Sequence, residues 1–272
     1  MRIHAGYVIA FDCPQPTPML LQLGIHPSRT QDLLTPNEIT FEPNVESVTY
    51  HDGFDNLCTR IVAPAGRLTI ATQFDIHDSG EPDAPVRDAP EIPVQDLPDD
   101  VLVYLLGSRY CDTDRLNDIA WQLFANTKPG WTRVQAICDF VHERIKFNYQ
   151  DASVTRTAFE GYTDGIGVCR DYAHLAIALC RCMNIPARYC TGYLGDMGMP
   201  PPWGVGDFSA WFEAYLGGAW HVFDARFNIP RIGRVLIARG RDATDCAIST
   251  SFGTATLAGF TVITDEVADA DS

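Results

Sequence analysis

The sequence predicts an α+β protein. A β-sandwich-like N-terminal domain precedes a core in which a buried, cysteine-bearing helix packs on an antiparallel sheet. Three observations carry this expectation. Short alternating apolar runs fill residues 2–78, an almost wholly apolar helical stretch follows Val168, and two aromatic-rich runs flank Gly217-Gly218.

The N-terminal runs are Ile3–Phe11, Met19–Leu23, Ile39–Phe41, Val45–Tyr50, Leu57–Val62 and Leu68–Ile76. Turn-formers separate them, among them Pro36-Asn37, Asp52-Gly53 and Pro64-Ala65-Gly66. Regular short strands with such punctuation predict a sandwich or barrel over residues 1–80. His4, His26, His51 and His77 are scattered through it and form no metal-ligand spacing. Residues 81–99 then carry Pro82, Pro85, Pro90, Pro93 and Pro98 among acidic side chains. Proline removes backbone donors and favours extended chain, so this stretch reads as an inter-domain linker. The remaining residues, 100–272, form the second predicted domain.

Helical periodicity opens that domain. Leu116, Ile119, Ala120, Leu123 and Phe124 fall on one helix face, as do Val134, Ile137, Cys138, Val141 and Ile145. Thr132–Gln135 and Thr157–Glu160 both have the capping-box signature, in which two side chains satisfy orphan N–H groups at a helix start. Gly165 and Gly167 then break regular structure before Cys169, and Pro186 marks the far end. A helix apolar on nearly all sides is buried. Cys169 therefore stands in the first turn of a core helix, where unpaired N–H groups and the helix dipole favour a thiolate.

Asp207–Tyr215 and Trp220–Asp224 read as two strands, with Ala187–Tyr193 as a third. If Gly217-Gly218 closes a two-residue hairpin, Leu216 faces Ala219 and Trp211 faces Asp224. Ser209, Trp211, Glu213, Val222, Asp224 and Arg226 then share one face. His221 falls on the opposite face, and His174, five residues past Cys169 on the helix, points away from it.

The order and wording of GVCRDYAHLAIAL, IPARYCTGY and SAWFEAYLGGAWHVFD resemble the transglutaminase-like superfamily. Asn228–Leu236 and Arg239–Asp242 look like its bacterial members, which carry a β-rich N-terminal region. The resemblance implies a papain/transglutaminase-like core with Cys169 as nucleophile and Asp224 as orienting acid. The family's histidine is expected just before Ala210-Trp211, and this chain has Ser209 there. Only His142 or one of the N-terminal histidines remains to replace it. The resemblance also implies substrate contacts from Trp211, Gly167 and Tyr193, with no cofactor and no metal. Two functions stay open. One is a cysteine acyltransferase or amide hydrolase acting on a peptide or protein substrate through Cys169. The other is a catalytically impaired relative that binds peptides. Gly195–Gly206, rich in Gly, Pro and Met, suits a substrate lip.

Composition narrows the partners. A net charge of −15 argues against a nucleic-acid or anionic-membrane surface, since both need clustered Lys and Arg. No apolar run reaches the ~18 residues of a membrane helix. Nine cysteines without framework spacing read as free thiols in a reducing cytoplasm. The C-x-C spacing of Cys180 and Cys182, followed by Cys190, lacks the paired knuckles and the fourth ligand of a zinc site.

Overall fold

Alternation along the first residues builds strands that bury one face each. A computed structural model describes residues 1–201, 204 and 206–267. Strand β1 (Arg2–Cys13) buries Ile3, Ala5, Tyr7, Ile9, Phe11 and Cys13. After it come β2 (Thr17–Leu21), β3 (Thr40–Glu42), β4 (Ser47–His51), β5 (Leu57–Ala63) and β6 (Gly66–His77). Each coincides within a few residues with a predicted run.

The helical part starts with α1 (Thr113–Phe124) and α2 (Trp131–Arg144). On α1, Leu116, Ala120 and Phe124 are buried, and all five predicted apolar positions from Val134 to Ile145 are buried as well. The capping box expected at Thr132 does not form. Helix α2 begins one residue earlier at Trp131, preceded by Gly130 at φ +85° with no side-chain cap. A two-residue strand, β7 (Lys146–Phe147), leads to α3 (Ala158–Asp164), where the Thr157–Glu160 capping box does form. Strand β8 (Ile166–Gly167) pairs in parallel with β7 and delivers the chain into α4 (Cys169–Cys182).

Helix α4 is buried from Asp171 through Cys182 and packs against α1, α2, α3 and the sheet beyond. It ends where Asn184 adopts φ +62°, the left-handed conformation that terminates helices, ahead of Pro186. The sheet that α4 covers has the order β11-β10-β9-β12, all antiparallel, from β9 (Ala187–Tyr193), β10 (Phe208–Leu216), β11 (Ala219–Phe223) and β12 (Val235–Gly240). Gly217 and Gly218 both have positive φ, as a primed two-residue turn requires. Leu216 is in register with Ala219 and Phe212 with Phe223, the predicted pairing.

The last strands do not extend the sheet under α4: β13 (Ser249–Ser251) pairs with β2, and β14 (Thr256–Val267) pairs with β1. Both N-terminal sheets, β14-β1-β6-β3 and β13-β2-β5-β4, are thus completed by the C-terminal end of the chain. The proline-rich segment is tied down along its length. Asp83 N–H donates to the Arg231 carbonyl (2.9 Å), and the Ala89 and Pro90 carbonyls accept from Trp131 (3.0 Å) and Gly217 (2.8 Å). Acidic side chains that looked like solvated linker are ion-paired instead, Glu91 with Arg133 and Asp83 with Arg234.

Candidate active site

Local packing fixes where Cys169 stands. A Cβ on Gly167 would lie 2.7 Å from the Asp171 side chain, so only glycine leaves room for that carboxyl. Asp171 uses the space to accept hydrogen bonds from Val168 N–H (2.9 Å) and Arg156 Nη1 (3.3 Å). The first turn of α4 is thereby pinned, and the residue after Val168 is Cys169. Of the nine cysteines, the other eight are buried and Cys169 alone is partly exposed.

On the sheet side, β11 ends at Phe223, so Phe208–Trp211 of β10 have no partner in β11. There the Ala210 N–H, and from the helix start the Arg170 N–H, lie close enough to the Cys169 sulfur to favour its anion. Two charged groups face the sulfur, Arg226 and Asp207. The Arg226 guanidinium lies over the Phe147 ring at 3.9 Å, and the Asp207 carboxylate accepts from the Tyr149 hydroxyl at 3.1 Å. Asp207, Ser209, Arg226 and Tyr149 line a cleft of about 560 Å³, walled by Leu194–Met199 and by Val262–Glu266 of β14. The expected lip thus borders the cleft, although its Pro202, Trp203 and Val205 lie outside the described residues.

The thiol is not tuned as the helix start suggested. Burial, the largest influence, pushes it up to about 11, and the Asp207 carboxylate pushes the same way. The Arg226 guanidinium and the two backbone donors pull it down without prevailing. Burial likewise raises the Asp207 carboxyl, and it lifts the Tyr149 hydroxyl to about 12.

Asp224 lies just past β11, almost wholly buried. Its Oδ1 accepts from the N–H groups of Arg226 (3.0 Å) and Phe227 (3.1 Å), and its Oδ2 from Arg234 Nη2 (3.0 Å). Arg234 in turn reaches Asp83 with its Nε at 2.8 Å. Ser209 sits opposite Gly192 on β9, 6% exposed, with no hydrogen-bond partner for its hydroxyl.

None of the seven histidines is hydrogen-bonded to the Cys169 sulfur. His4 and His51 bind Asp75 and Asp55, and His26 binds Ser28. His174 accepts from Ala243 N–H, while His221 donates to the Leu216 carbonyl. His142 is exposed and donates to the carbonyls of Ala225 and Arg226, and His77 is exposed at the end of β6.

The three residues expected to contact substrate are engaged within the fold. Tyr193 is fully buried between the rings of Phe74 and Phe208. Trp211 is buried with Cys190 and Leu236. The Gly167 carbonyl already accepts from Asn148 N–H at 3.0 Å. The two aromatic side chains pack the core because alternation placed them on covered faces of the sheet. Arg226, Asp207 and Tyr149 were not singled out as site residues. Their only sequence signal was proximity, Arg226 two residues past Asp224 and Asp207 two before Ser209. Among the described residues no group of three or more His, Cys, Asp or Glu could hold a metal. No described helix is long and apolar enough to cross a membrane.

A partly exposed cysteine opening a buried helix, laid on an antiparallel sheet whose hairpin ends at an aspartate, defines a papain/transglutaminase-like cysteine core. Residues 117–225 match the model of the transglutaminase-like superfamily, so this part of the chain is a transglutaminase-like core. The crystal structure of a candidate cysteine protease from Cytophaga hutchinsonii superposes with a TM-score of 0.86 at 29% identity, covering 100% of this chain and 92% of that one. An uncharacterized protein of Mycobacterium leprae (strain TN) is 24% identical over 227 residues, 81% of each chain.

Proposed function

We propose that the chain is a cysteine-dependent acyltransferase in which Cys169 is the nucleophile. The observation that carries this reading is the setting of its sulfur. It is the one partly exposed thiol, two backbone N–H groups and the Arg226 guanidinium favour its anion, and its neighbours Asp207, Arg226 and Tyr149 line a cleft large enough for an acyl donor. Asp224 acts here as a positioning residue. By accepting the N–H groups of Arg226 and Phe227 it sets the turn that brings Arg226 to the sulfur.

A second reading, a peptide-binding relative without turnover, is favoured by Ser209 at the family's histidine position. A serine hydroxyl neither accepts nor returns a proton usefully near pH 7, and loss of general acid–base catalysis costs typically ~10²–10⁴-fold.

Acetylation by p-nitrophenyl acetate, located by peptide mass spectrometry, separates the two. The acyltransferase reading expects one acetyl group on Cys169 and none in the Cys169→Ala protein. A wild-type Cys169 left unmodified while the ester is consumed elsewhere defeats it and leaves the binding reading.

A further inference from the structure

We propose that the acyl donor this site takes is a thioester rather than an amide, so that its chemistry is acyl exchange between sulfurs. The inference rests on the acyltransferase reading above and names its substrate class.

The argument turns on the leaving group. When a thiolate attacks an amide, the tetrahedral intermediate can expel its nitrogen only after that nitrogen has been protonated, the step an imidazolium performs. The groups facing Cys169 are Arg226, Asp207, Tyr149 and the buried Tyr189. A guanidinium is a donor that does not give up its proton in proteins. The Tyr149 hydroxyl proton is already directed to Asp207 at 3.1 Å, and the phenol is pushed up to about 12. Asp207 accepts that bond on Oδ2. Tyr189 is buried and packs against His174, away from the cleft. No imidazolium stands at the sulfur to return a proton to a departing amine.

A thioester needs none. The Cys169 proton leaves to water. The thiolate adds to the acyl carbon, and a new carbon–sulfur bond forms as the carbonyl electrons move to oxygen. Collapse expels the donor sulfur with its bonding pair as a thiolate, which takes a proton from water. Cys169 is left carrying the acyl group as a thioester. The leaving thiol has an ordinary pKa near ~8.5, so it departs as an anion.

What the site does hold suits this exchange. Arg226 and the Ala210 and Arg170 N–H groups stabilise negative charge on sulfur, which appears at both the start and the end of the step. Ser209 lines the cleft, and its hydroxyl is buried without a hydrogen-bond partner. A backbone donor preorganised at a developing oxyanion is worth ~10²–10³-fold.

The test uses the full chain with two donors, S-acetyl-N-acetylcysteamine and a glutamine-containing peptide, following acylation of Cys169 by intact and peptide mass spectrometry. A short single-cysteine peptide serves as reference, and rates are compared per thiolate. The expected result is a thioester rate at least ~10²-fold above the reference with no acylation by the glutamine peptide. The thioester rate should climb about tenfold per pH unit from 7 to 10, as a thiol pushed up to about 11 requires.

Acylation by the glutamine peptide within about tenfold of the thioester would overturn the proposal. An unnoticed proton donor would then be present, and the acyltransferase reading would stand. Acetylation by p-nitrophenyl acetate with a thioester rate no better than the reference would also overturn it while sparing that reading. If neither ester nor thioester modifies Cys169, both fall.

Discussion

Replacing Ser209 by His is the perturbation that asks most of the site. Ser209 is 6% exposed and its hydroxyl has no partner, so the substitution removes no hydrogen bond. Position 209 lies on β10 three residues beyond its last rung with β11, and Asp224 is the residue that follows β11. A carboxylate offers about four lone-pair sites. Asp224 Oδ1 accepts two N–H groups and Oδ2 accepts one from Arg234, so Oδ2 keeps one site for an imidazole N–H. That bond would fix the tautomer and turn the other ring nitrogen toward Cys169. The gain expected in acylation by a glutamine peptide is ~10²–10⁴-fold, the range ascribed to general acid–base catalysis.

The extra volume is not free. The facing residue is Gly192, whose own added Cβ would already lie 2.0 Å from the Val235 carbonyl, so that strand cannot yield. Overpacking should cost ~1–3 kcal/mol, read as a fall in melting temperature of a few to about ten degrees. The assay compares wild type, Ser209→His and Ser209→His with Cys169→Ala, each with a melting curve. A gain that survives loss of the thiol would place the activity elsewhere. A folded Ser209→His with no gain, in a protein whose Cys169 still reacts with p-nitrophenyl acetate, would refute the placement of residue 209 beside the sulfur.

Two further outcomes follow from packing. Arg234→Leu removes the cation between Asp224 and Asp83 and leaves the nearly buried Asp224 carboxylate unpaired, so urea unfolding should show a loss of ~3–5 kcal/mol; a loss under ~1 kcal/mol would mean the ion pair does not form. Deleting residues 256–272 strips β1 of its partner over Arg2–Asp12 and bares a long strand edge, so light scattering should report added association and a melting curve a lower midpoint; no change in either would mean β14 contributes nothing to the N-terminal sheets.

Much of the fold was legible because burial imposes a period. The six N-terminal runs, both faces of α1 and α2, the buried α4 and the hairpin register all follow from which residues alternate or recur. Neighbour choice does not follow from period. A strand's pattern says which face is covered, not which strand lies beside it, so β13 and β14 could not be assigned to the N-terminal sheets from their residues. The ion pairs of the proline-rich segment were illegible for a related reason. Asp83 and Glu91 look solvated in sequence and become ion-pair partners only because Arg234 and Arg133 arrive from distant positions.

The site shows the same division between sign and magnitude. A helix start does supply N–H groups to Cys169, and the Arg170 amide is one of them. Whether that lowers the thiol depends on how much water the sulfur keeps, which the sequence does not reveal, and burial outweighs the donors. Asp224 stands just past the hairpin's second strand, and its work in this chain is inferred from what surrounds it. With serine at 209 no imidazole competes for the carboxylate, and its bonds go instead to the backbone of the Arg226 turn and to Arg234. The residue that would orient a base therefore orients a cation. A site with a placed cation and no imidazole lowers the cost of a thiolate without supplying the usual proton carrier. The proposed acyl donor is accordingly one whose leaving group departs as an anion.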